Sequence, residues 1–346
     1  MSQHTNNARD DIGDEPRDDE RNATSDNDAT GDRRALDGPS KDDAPTIALA
    51  LNAASAALRA SSIPDPRREA ATLFAATIGR DRAYLFAHSD DALAPSINAL
   101  FRERISRRAG GEPLQYITGH QEFFGLDFEV TPAVLIPRPE TELLVEIALE
   151  LLRDFHNSLS ADDSHNADDT SHTRAPFICD VGTGSGCIPI ALLHEWPDAR
   201  AVAIDISTDA LHVAARNAAC HSVTERITFV ASDLFAALDA SAIKFDLITS
   251  NPPYVAEDAL DTLQREVREH EPRVALTPGG DGLSAIRRLV EDAPRLLAPR
   301  GHLVFEIGHD QHEAVRRLID GRVWTLLETR RDLQGIPRTV VLRLKR

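Results

Sequence analysis

The tetrapeptide Asn251-Pro252-Pro253-Tyr254 directly follows an apolar run, residues 245–250, that has the composition of a buried strand. Two consecutive prolines cannot continue a paired strand, and a proline also disfavours helical backbone in the residue before it. The chain must therefore leave the strand at Asn251 with a stiff backbone. Such a segment offers two fixed oxygen acceptors, Asn251 Oδ1 and the Pro252 carbonyl. Together they suit the N–H bonds of a planar nitrogen, against which the Tyr254 ring could pack.

A second segment that could do chemistry is the glycine-rich turn at residues 180–186, "DVGTGSG", which follows another apolar run. Glycines allow positive φ and let a ligand approach the backbone closely. The dinucleotide fingerprint G-x-G-x-x-G is not met, because Cys187 occupies the third glycine position. An acid before the first glycine, Asp180, would repel a pyrophosphate but suits the ammonium group of an amino-acid-bearing cofactor. The turn therefore resembles the first motif of S-adenosylmethionine-dependent methyltransferases.

Two more acids follow the next two apolar runs. Asp205 is placed to accept hydrogen bonds from ribose hydroxyls, a feature shared with dinucleotide-binding proteins. Asp233 could accept a hydrogen bond from an adenine amino group while Leu234 packs on the ring; its alternative role is the N-cap of a helix. The expected cofactor-binding residues are Asp180, Val181, Gly182, Thr183, Gly184, Gly186, Asp205, Asp233, Leu234 and Asn251.

The elements that must position these residues alternate between strand and helix from residue 176 onward. Alternation of this kind predicts a mostly parallel sheet with helices on both faces, in which ligands bind at the carboxyl ends of the strands. The last two strands lack an intervening helix and should pair antiparallel at one edge. The fold class is α/β, a seven-stranded Rossmann-like class I methyltransferase sheet, with strands predicted at 177–181, 200–206, 226–232, 245–250, 302–307, 323–328 and 338–344.

The remainder of the chain divides into segments of different composition. Helical periodicity at 45–110 predicts a small N-terminal helical domain, and alternation with aromatics around Gly125 predicts a β-hairpin at 114–130 within a linker, 111–134. Residues 135–346 form the predicted methyltransferase domain, beginning with a helix at Pro139. Polar segments at 1–44 and 156–174 are predicted to be a disordered acidic tail and a flexible insertion.

Charge and composition exclude several classes of protein. The net charge of −18 disfavours non-specific nucleic-acid binding, although seven of these excess charges lie in the tail, where thirteen Asp and Glu face six Lys and Arg. No apolar stretch reaches the roughly 20 residues of a membrane span, and no secretory signal begins the sequence. Three cysteines without a C-x-x-C pair indicate a reduced, cytoplasmic protein. His156, His165 and His172 are too irregularly spaced for a metal site.

The linker and the segment after it carry a more specific resemblance. Residues 111–146, which include "IPRPETE" at 136–142, resemble the corresponding part of the peptide chain release factor glutamine methyltransferases, the PrmC/HemK type. The resemblance extends over residues 47–345. It implies S-adenosylmethionine-dependent methylation of the glutamine side-chain amide in the Gly-Gly-Gln loop of class I release factors, with the N-terminal helices helping to dock the factor. It places the catalytic role on Asn251, Pro252 and Tyr254, and substrate binding on Asn251, Pro252, Pro253, Tyr254 and Arg138.

Several alternatives stay open at this point. The tetrapeptide alone also fits an ordinary Asn-Pro turn, and similar tetrapeptides occur in methyltransferases that act on nucleic-acid amines. Methylation of a ribosomal-protein glutamine is a related possibility, although "IPRPETE" is more similar to the release-factor branch. A binding module without catalysis is disfavoured by the intact tetrapeptide. Arg138 and Glu142 either line a pocket or form a surface ion pair with each other.

Overall fold

The N-terminal part of the described chain is helical, as the periodicity predicts. The computed structural model describes residues 44–162 and 175–345, with side chains at 44–154 and 175–345. The apolar faces of the first helices meet around Leu58, Leu73 and Phe74, and Phe74 contacts Phe101 edge to face with ring centroids 4.9 Å apart. These helices are α1 (Ile47–Ala60), α2 (Pro66–Ile78), α3 (Arg82–Ala87) and α4 (Pro95–Ala109).

The β-hairpin is confirmed but is shorter than predicted, because residues 114–118 are helical. Pro113 precedes this helical turn and Gly119, at φ 84°, ends it, so the strand alternation begins only afterwards. The hairpin turn consists of Phe124 and Gly125, both at positive φ, as a tight two-residue turn of type I′ requires. The elements are α5 (Leu114–Thr118), β1 (His120–Phe123) and β2 (Leu126–Glu129).

The long helix that follows, α6 (Pro139–Asp162), begins at the predicted proline but continues beyond the predicted end. Its sequence contains neither glycine nor a second proline that would stop it, and its backbone remains helical through 156–162, the first part of the segment predicted to be a flexible insertion. The rest of that insertion and the predicted acidic tail, except Ala44, lie outside the described residues, as do the side chains of the three histidines. Neither α6 nor any other helix of the described chain has the length and apolar character needed to cross a membrane.

The central sheet has the seven strands that the sequence predicts, in the order β5-β4-β3-β6-β7-β9-β8. The first five in this order are parallel, and β9 runs antiparallel to both β7 and β8, which confirms the antiparallel edge pair. The strands are β3 (Phe177–Val181), β4 (Arg200–Asp205), β5 (Ile227–Ala231), β6 (Phe245–Ser250), β7 (Leu297–Glu306), β8 (Trp324–Arg331) and β9 (Pro337–Leu344).

Helices cover both faces of this sheet. Leu144 and Ile190 pack with Ile178 on one face, while Ile286 and Leu289 pack with Phe305 on the other. The helices are α7 (Cys187–Glu195), α8 (Thr208–Cys220), α9 (Arg265–His270), α10 (Arg273–Leu276), α11 (Ser284–Asp292) and α12 (His312–Leu318), with 3-10 turns at Thr224–Arg226, Glu257–Thr262 and Ala293–Arg295.

The strand order reverses at β3, which lies between β4 and β6. In open parallel sheets, a reversal of this kind leaves a crevice at the carboxyl ends of the two strands. The register pairs Val181 with Ser250 and Ser250 with Phe305. The three residues that follow these positions, Gly182, Asn251 and Glu306, therefore emerge side by side at one edge of the sheet.

A buried arginine connects the helical part to the residues beside the crevice. Arg108 of α4 is 3% exposed, and its guanidinium contacts both carboxylate oxygens of Glu69 at 2.5 and 3.1 Å. Its Nη1 donates to Glu266 of α9 at 2.7 Å and to the Glu112 carbonyl at 3.0 Å. One buried cation thus holds two acidic side chains from distant parts of the chain.

We expect Arg108→Met to lower the free energy of unfolding by about 3–5 kcal/mol, because it leaves the nearly buried Glu69 carboxylate without its cation. Arg107→Met is the matched control, since Arg107 pairs with Glu112 at a half-exposed position and should cost about 0–1 kcal/mol. Urea unfolding of both variants measures the difference. Equal losses in the two variants would contradict a structural role for the buried cluster.

Candidate active site

Two cavities meet at the tetrapeptide that ends β6. The first, of about 460 Å³, lies over the glycine-rich turn, and the second, of about 550 Å³, lies beside α9. Asn251 lines both cavities. Pro253 lines only the first, and Pro252 and Tyr254 line only the second. The tetrapeptide is therefore the wall between two ligand-sized spaces, and Asn251 is accessible from each.

The glycine-rich turn forms one side of the first cavity. Gly182 and Gly184 adopt φ of 74° and 54°, and a Cβ on Gly184 would meet no atom within 4 Å, so it would project into open space. Gly186 serves packing instead, since its Cβ would lie 2.9 Å from Ile190 Cδ1. The turn thus presents a bare backbone to the first cavity, while Gly186, one of the predicted cofactor residues, does not line it.

Asp180 lies beneath this turn and is fully buried. Its Oδ1 accepts a hydrogen bond from Thr249 Oγ1 at 2.8 Å, and burial raises the pKa of its carboxyl to about 7. Within the described part of the chain, Oδ2 and the buried hydroxyls of Thr183 and Ser185 make no hydrogen bond of ordinary geometry, although Thr183 lies close enough to Asp180 to lower the pKa of its carboxyl. Asp180 does not itself line the first cavity, but the two hydroxyl-bearing residues do. Buried polar atoms without partners at a cavity wall fit a polar ligand that would satisfy them.

Next to the turn, the wall of the first cavity has an acidic and an apolar part. Asp205 accepts backbone hydrogen bonds from Gly184 N at 2.8 Å and from Ser207 N at 2.9 Å, and a carboxylate has further lone pairs for a ligand. Burial raises the pKa of Asp205. Ile206, 58% exposed, and Leu234 also line this cavity. Apolar side chains beside a carboxylate on a cavity wall suit a flat ring joined to a group that bears hydroxyls.

Asp233 lines the same cavity but is already paired. Its two carboxylate oxygens accept from Arg288 Nη1 and Nη2, each at 3.0 Å. The alternative role as a helix N-cap is wrong, because the residues after Asp233 form turns rather than a helix. The side chain that supports these turns is Ser232, whose Oγ accepts from Ala237 N at 2.9 Å. Any ligand that hydrogen-bonds to Asp233 must share the carboxylate with Arg288.

Arg138 lines both cavities, but its partner is not the one considered from the sequence. Its Nη2 donates to Glu271 Oε1 at 2.5 Å, and Glu271 Oε2 accepts from Ile136 N at 3.3 Å. Glu142 instead accepts from the backbone N of Phe124 at the hairpin turn, at 3.0 Å. The surface ion pair between Arg138 and Glu142 is therefore not formed: Arg138 belongs to the cavity walls, and Glu142 supports the hairpin.

Behind the tetrapeptide lies a set of hydrogen bonds that sequence analysis missed. Asn251 Nδ2 donates to Thr141 Oγ1 at 3.1 Å, and Thr141 donates to Glu306 Oε2 at 2.7 Å. The Tyr254 hydroxyl donates to Glu306 Oε1 at 3.1 Å. Burial raises the pKa of both Glu306 and Tyr254. Glu306 could have been noticed as an acid at the carboxyl end of the strand beside Asn251, whereas nothing in the sequence singles out Thr141.

A glycine supports the far end of the tetrapeptide. A Cβ on Gly282 would overlap the Tyr254 carbonyl oxygen and lie 2.9 Å from Ala256 N. The same carbonyl accepts from Gln311 Nε2 at 2.8 Å. The backbone of Gly282 therefore fills the space directly behind Tyr254, which leaves that residue little freedom to shift.

We expect Gly282→Ala to lower turnover by about 10-fold or more, because the added Cβ displaces Tyr254 and with it the wall between the cavities. Gly280→Ala is the matched control: Gly280 also has positive φ, but its Cβ would meet nothing within 4 Å. Turnover of both variants, with unfolding curves to show that they fold, measures the effect. Equal turnover in the two variants would contradict it.

Asp180 gives a pH-dependent prediction. Its pKa is about 7 in the folded protein and about 4 when exposed, so the folded state holds the extra proton between these values. The stability from this group is complete below pH 4 and is lost as pH rises to about 7. Denaturant unfolding without ligand should show wild type losing stability relative to Asp180→Asn from pH 4 to 7. A difference that does not vary with pH would contradict the buried-acid interpretation.

Two protein families match parts of this chain. The PrmC N-terminal domain family matches residues 50–119, and the methyltransferase small domain family matches residues 169–283. The ribosomal protein L11 methylase structure from Lactobacillus delbrueckii subsp. bulgaricus, at 19% identity, gives a TM-score of 0.41 over 63% of this chain and 84% of that chain.

Two relatives are similar over most of the chain. The release factor glutamine methyltransferase of Koribacter versatilis is 41% identical over 86% of this chain and 98% of its own length. That of Moorella thermoacetica is 44% identical over 79% of this chain and 89% of its own. Identity at this level over nearly the whole length of both relatives shows that the chain belongs to the release factor glutamine methyltransferase family.

Proposed function

We propose that this protein uses S-adenosylmethionine to methylate the side-chain amide nitrogen of the glutamine in the Gly-Gly-Gln loop of class I peptide chain release factors. The observation that carries the proposal is the position of Asn251, which lines both cavities where they meet. A transfer between two bound molecules needs such a point of contact. The relatives' names support a release factor glutamine as the substrate, and the two cavities support the arrangement.

The first cavity fits the cofactor by the chemistry of its walls. The bare backbone at Gly182 and Gly184 leaves room for the amino-acid part, and the buried Asp180 lies beneath it, where the ammonium group of the cofactor would favour its ionised form. Asp205 would accept hydrogen bonds from the ribose hydroxyls, and Ile206 and Leu234 would hold the adenine. When bound, S-adenosylmethionine supplies an electrophilic methyl carbon on a positively charged sulfur.

The tetrapeptide would hold the acceptor nitrogen from the second cavity. Asn251 Oδ1 and the Pro252 carbonyl each accept a hydrogen bond from one N–H group of the glutamine carboxamide, and the Tyr254 ring packs against the plane of that carboxamide. An amide nitrogen is a poor nucleophile because its lone pair is delocalised. Two fixed acceptors favour the positive charge that develops on it, and they need no reorganisation during the reaction. The alkylated nitrogen is acidic, so loss of its proton requires no strong base.

Asn251→Ala should lower turnover by about 10²–10³, the usual loss for one preorganised polar group, while cofactor affinity falls much less. Turnover is measured by methyl incorporation into a release factor, and affinity by calorimetry with the cofactor. Near-normal turnover in the variant would contradict the role of Asn251.

The substrate itself is tested with labelled cofactor and two release factors, one intact and one with the loop glutamine replaced by asparagine. Only the intact factor should gain the label, and peptide mass spectrometry should place the added methyl on its loop glutamine. Label on both factors, or label found instead on ribosomal protein or RNA in parallel incubations, would contradict the proposed substrate.

A further inference from the structure

The orientation of the Asn251 amide follows from a count of protons. Thr141 has one hydroxyl proton, which it donates to Glu306 Oε2 at 2.7 Å. The Thr141 oxygen then has only lone pairs to offer to Asn251. The Asn251 amide must therefore turn Nδ2 towards Thr141, at 3.1 Å, which leaves Oδ1 as the amide atom that a ligand meets.

We propose that Glu306 and Thr141 are positioning residues that select a carboxamide nitrogen, rather than an oxygen, at the methyl-accepting position by fixing the direction of the Asn251 amide. The inference rests on the proposed function, since it concerns how that site recognises its substrate. Oδ1 and Nδ2 are nearly equal in size, so packing alone distinguishes the two orientations poorly. With Oδ1 facing the ligand, the site accepts an N–H; with Nδ2 facing it, the site would bind a carbonyl or carboxylate oxygen.

The support for this chain of bonds is rigid. Glu306 is 2% exposed and ends β7, where it pairs with Thr339 of β9. Its other oxygen accepts from the Tyr254 hydroxyl at 3.1 Å, so one carboxylate holds both ends of the tetrapeptide. Thr141 is equally buried, at 2% exposed, in the first turn of α6. Neither side chain has room to adopt another arrangement without breaking a buried hydrogen bond.

The hydroxyl groups around Glu306 are arranged so that both of its oxygens act as acceptors. Burial raises its pKa, and the hydrogen bonds from Thr141 and Tyr254 and the positive charge of Arg338 offset only part of that rise. Arg338 of β9 also pairs with Asp332 at 3.0 Å, which keeps it in place. The proton count therefore rests on geometry: each carboxylate oxygen of Glu306 faces a hydroxyl group that can donate to it, Thr141 at 2.7 Å and Tyr254 at 3.1 Å.

The first test compares binding of two release factors, one with glutamine and one with glutamate in the loop. Wild type should bind the glutamine factor more tightly. We define the preference as the Kd of the glutamate factor divided by the Kd of the glutamine factor. Thr141→Val keeps the shape of the side chain but frees the Asn251 amide to turn, so this ratio should fall about 10-fold or more. Turnover on the glutamine factor should fall about 10–100-fold, with KM changed less than about threefold. Thr141→Ser should restore both quantities, and Thr325→Val on the edge strand β8 controls for the substitution itself.

Glu306→Leu tests the same chain from its other end. Without the carboxylate, the Thr141 hydroxyl can donate to Asn251 Oδ1, which turns Nδ2 to the ligand, so the preference for glutamine should fall at least as far. The double variant that combines Glu306→Leu with Thr141→Val should lose no more of the preference for glutamine than Glu306→Leu alone. Both substitutions act through the same series of hydrogen bonds. Cofactor affinity within about threefold of wild type shows that each variant is folded.

The outcomes separate this inference from the proposed function. If wild type fails to methylate the glutamine factor, the proposed function is wrong. Two results with an active wild type would show that Glu306 and Thr141 do not set the amide direction. One is a folded variant of either residue that keeps the wild-type preference; the other is a variant that weakens the binding of both factors equally. A preference that falls in both variants and returns with Thr141→Ser supports the inference.

Discussion

The register of three parallel strands is the constraint on which the site depends. Because Val181, Ser250 and Phe305 are paired across β3, β6 and β7, the glycine-rich turn, the tetrapeptide and Glu306 must lie at adjacent points along one edge of the sheet. A shift of one residue in any of these strands would turn every following side chain to the opposite face. The large apolar clusters on both faces make such a shift costly, so the core of the sheet fixes the geometry of the site.

Rigid backbone and buried hydrogen bonds further limit the movement of the tetrapeptide that the strand register positions. The two prolines limit the backbone of the tetrapeptide, Gly282 closes the space behind Tyr254, and Glu306 holds side chains at both of its ends. These features stiffen the wall between the cavities without adding a strong acid or base to it. A site built in this way suits a reaction in which geometry and electrostatics, rather than proton transfer, lower the barrier.

Sequence patterns predicted the sheet, its antiparallel edge and the N-terminal helices, because buried strands and amphipathic helices have strong periodicities. They placed Asn251 and the glycine-rich turn correctly at the carboxyl ends of strands. They failed at 114–118, where a proline and a glycine enclose too short a segment for periodicity to decide. They also missed Thr141 and the partner of Arg138, because contacts between residues more than 100 positions apart leave no local pattern.

The most direct test is a structure of the protein bound to a release factor and S-adenosylhomocysteine. The account predicts that the loop glutamine enters the second cavity with its amide nitrogen within hydrogen-bond distance of Asn251 Oδ1 and the Pro252 carbonyl, and facing the sulfur of the cofactor product. A glutamine whose carbonyl oxygen occupies that position, or an Asn251 side chain turned away from both ligands, would contradict it.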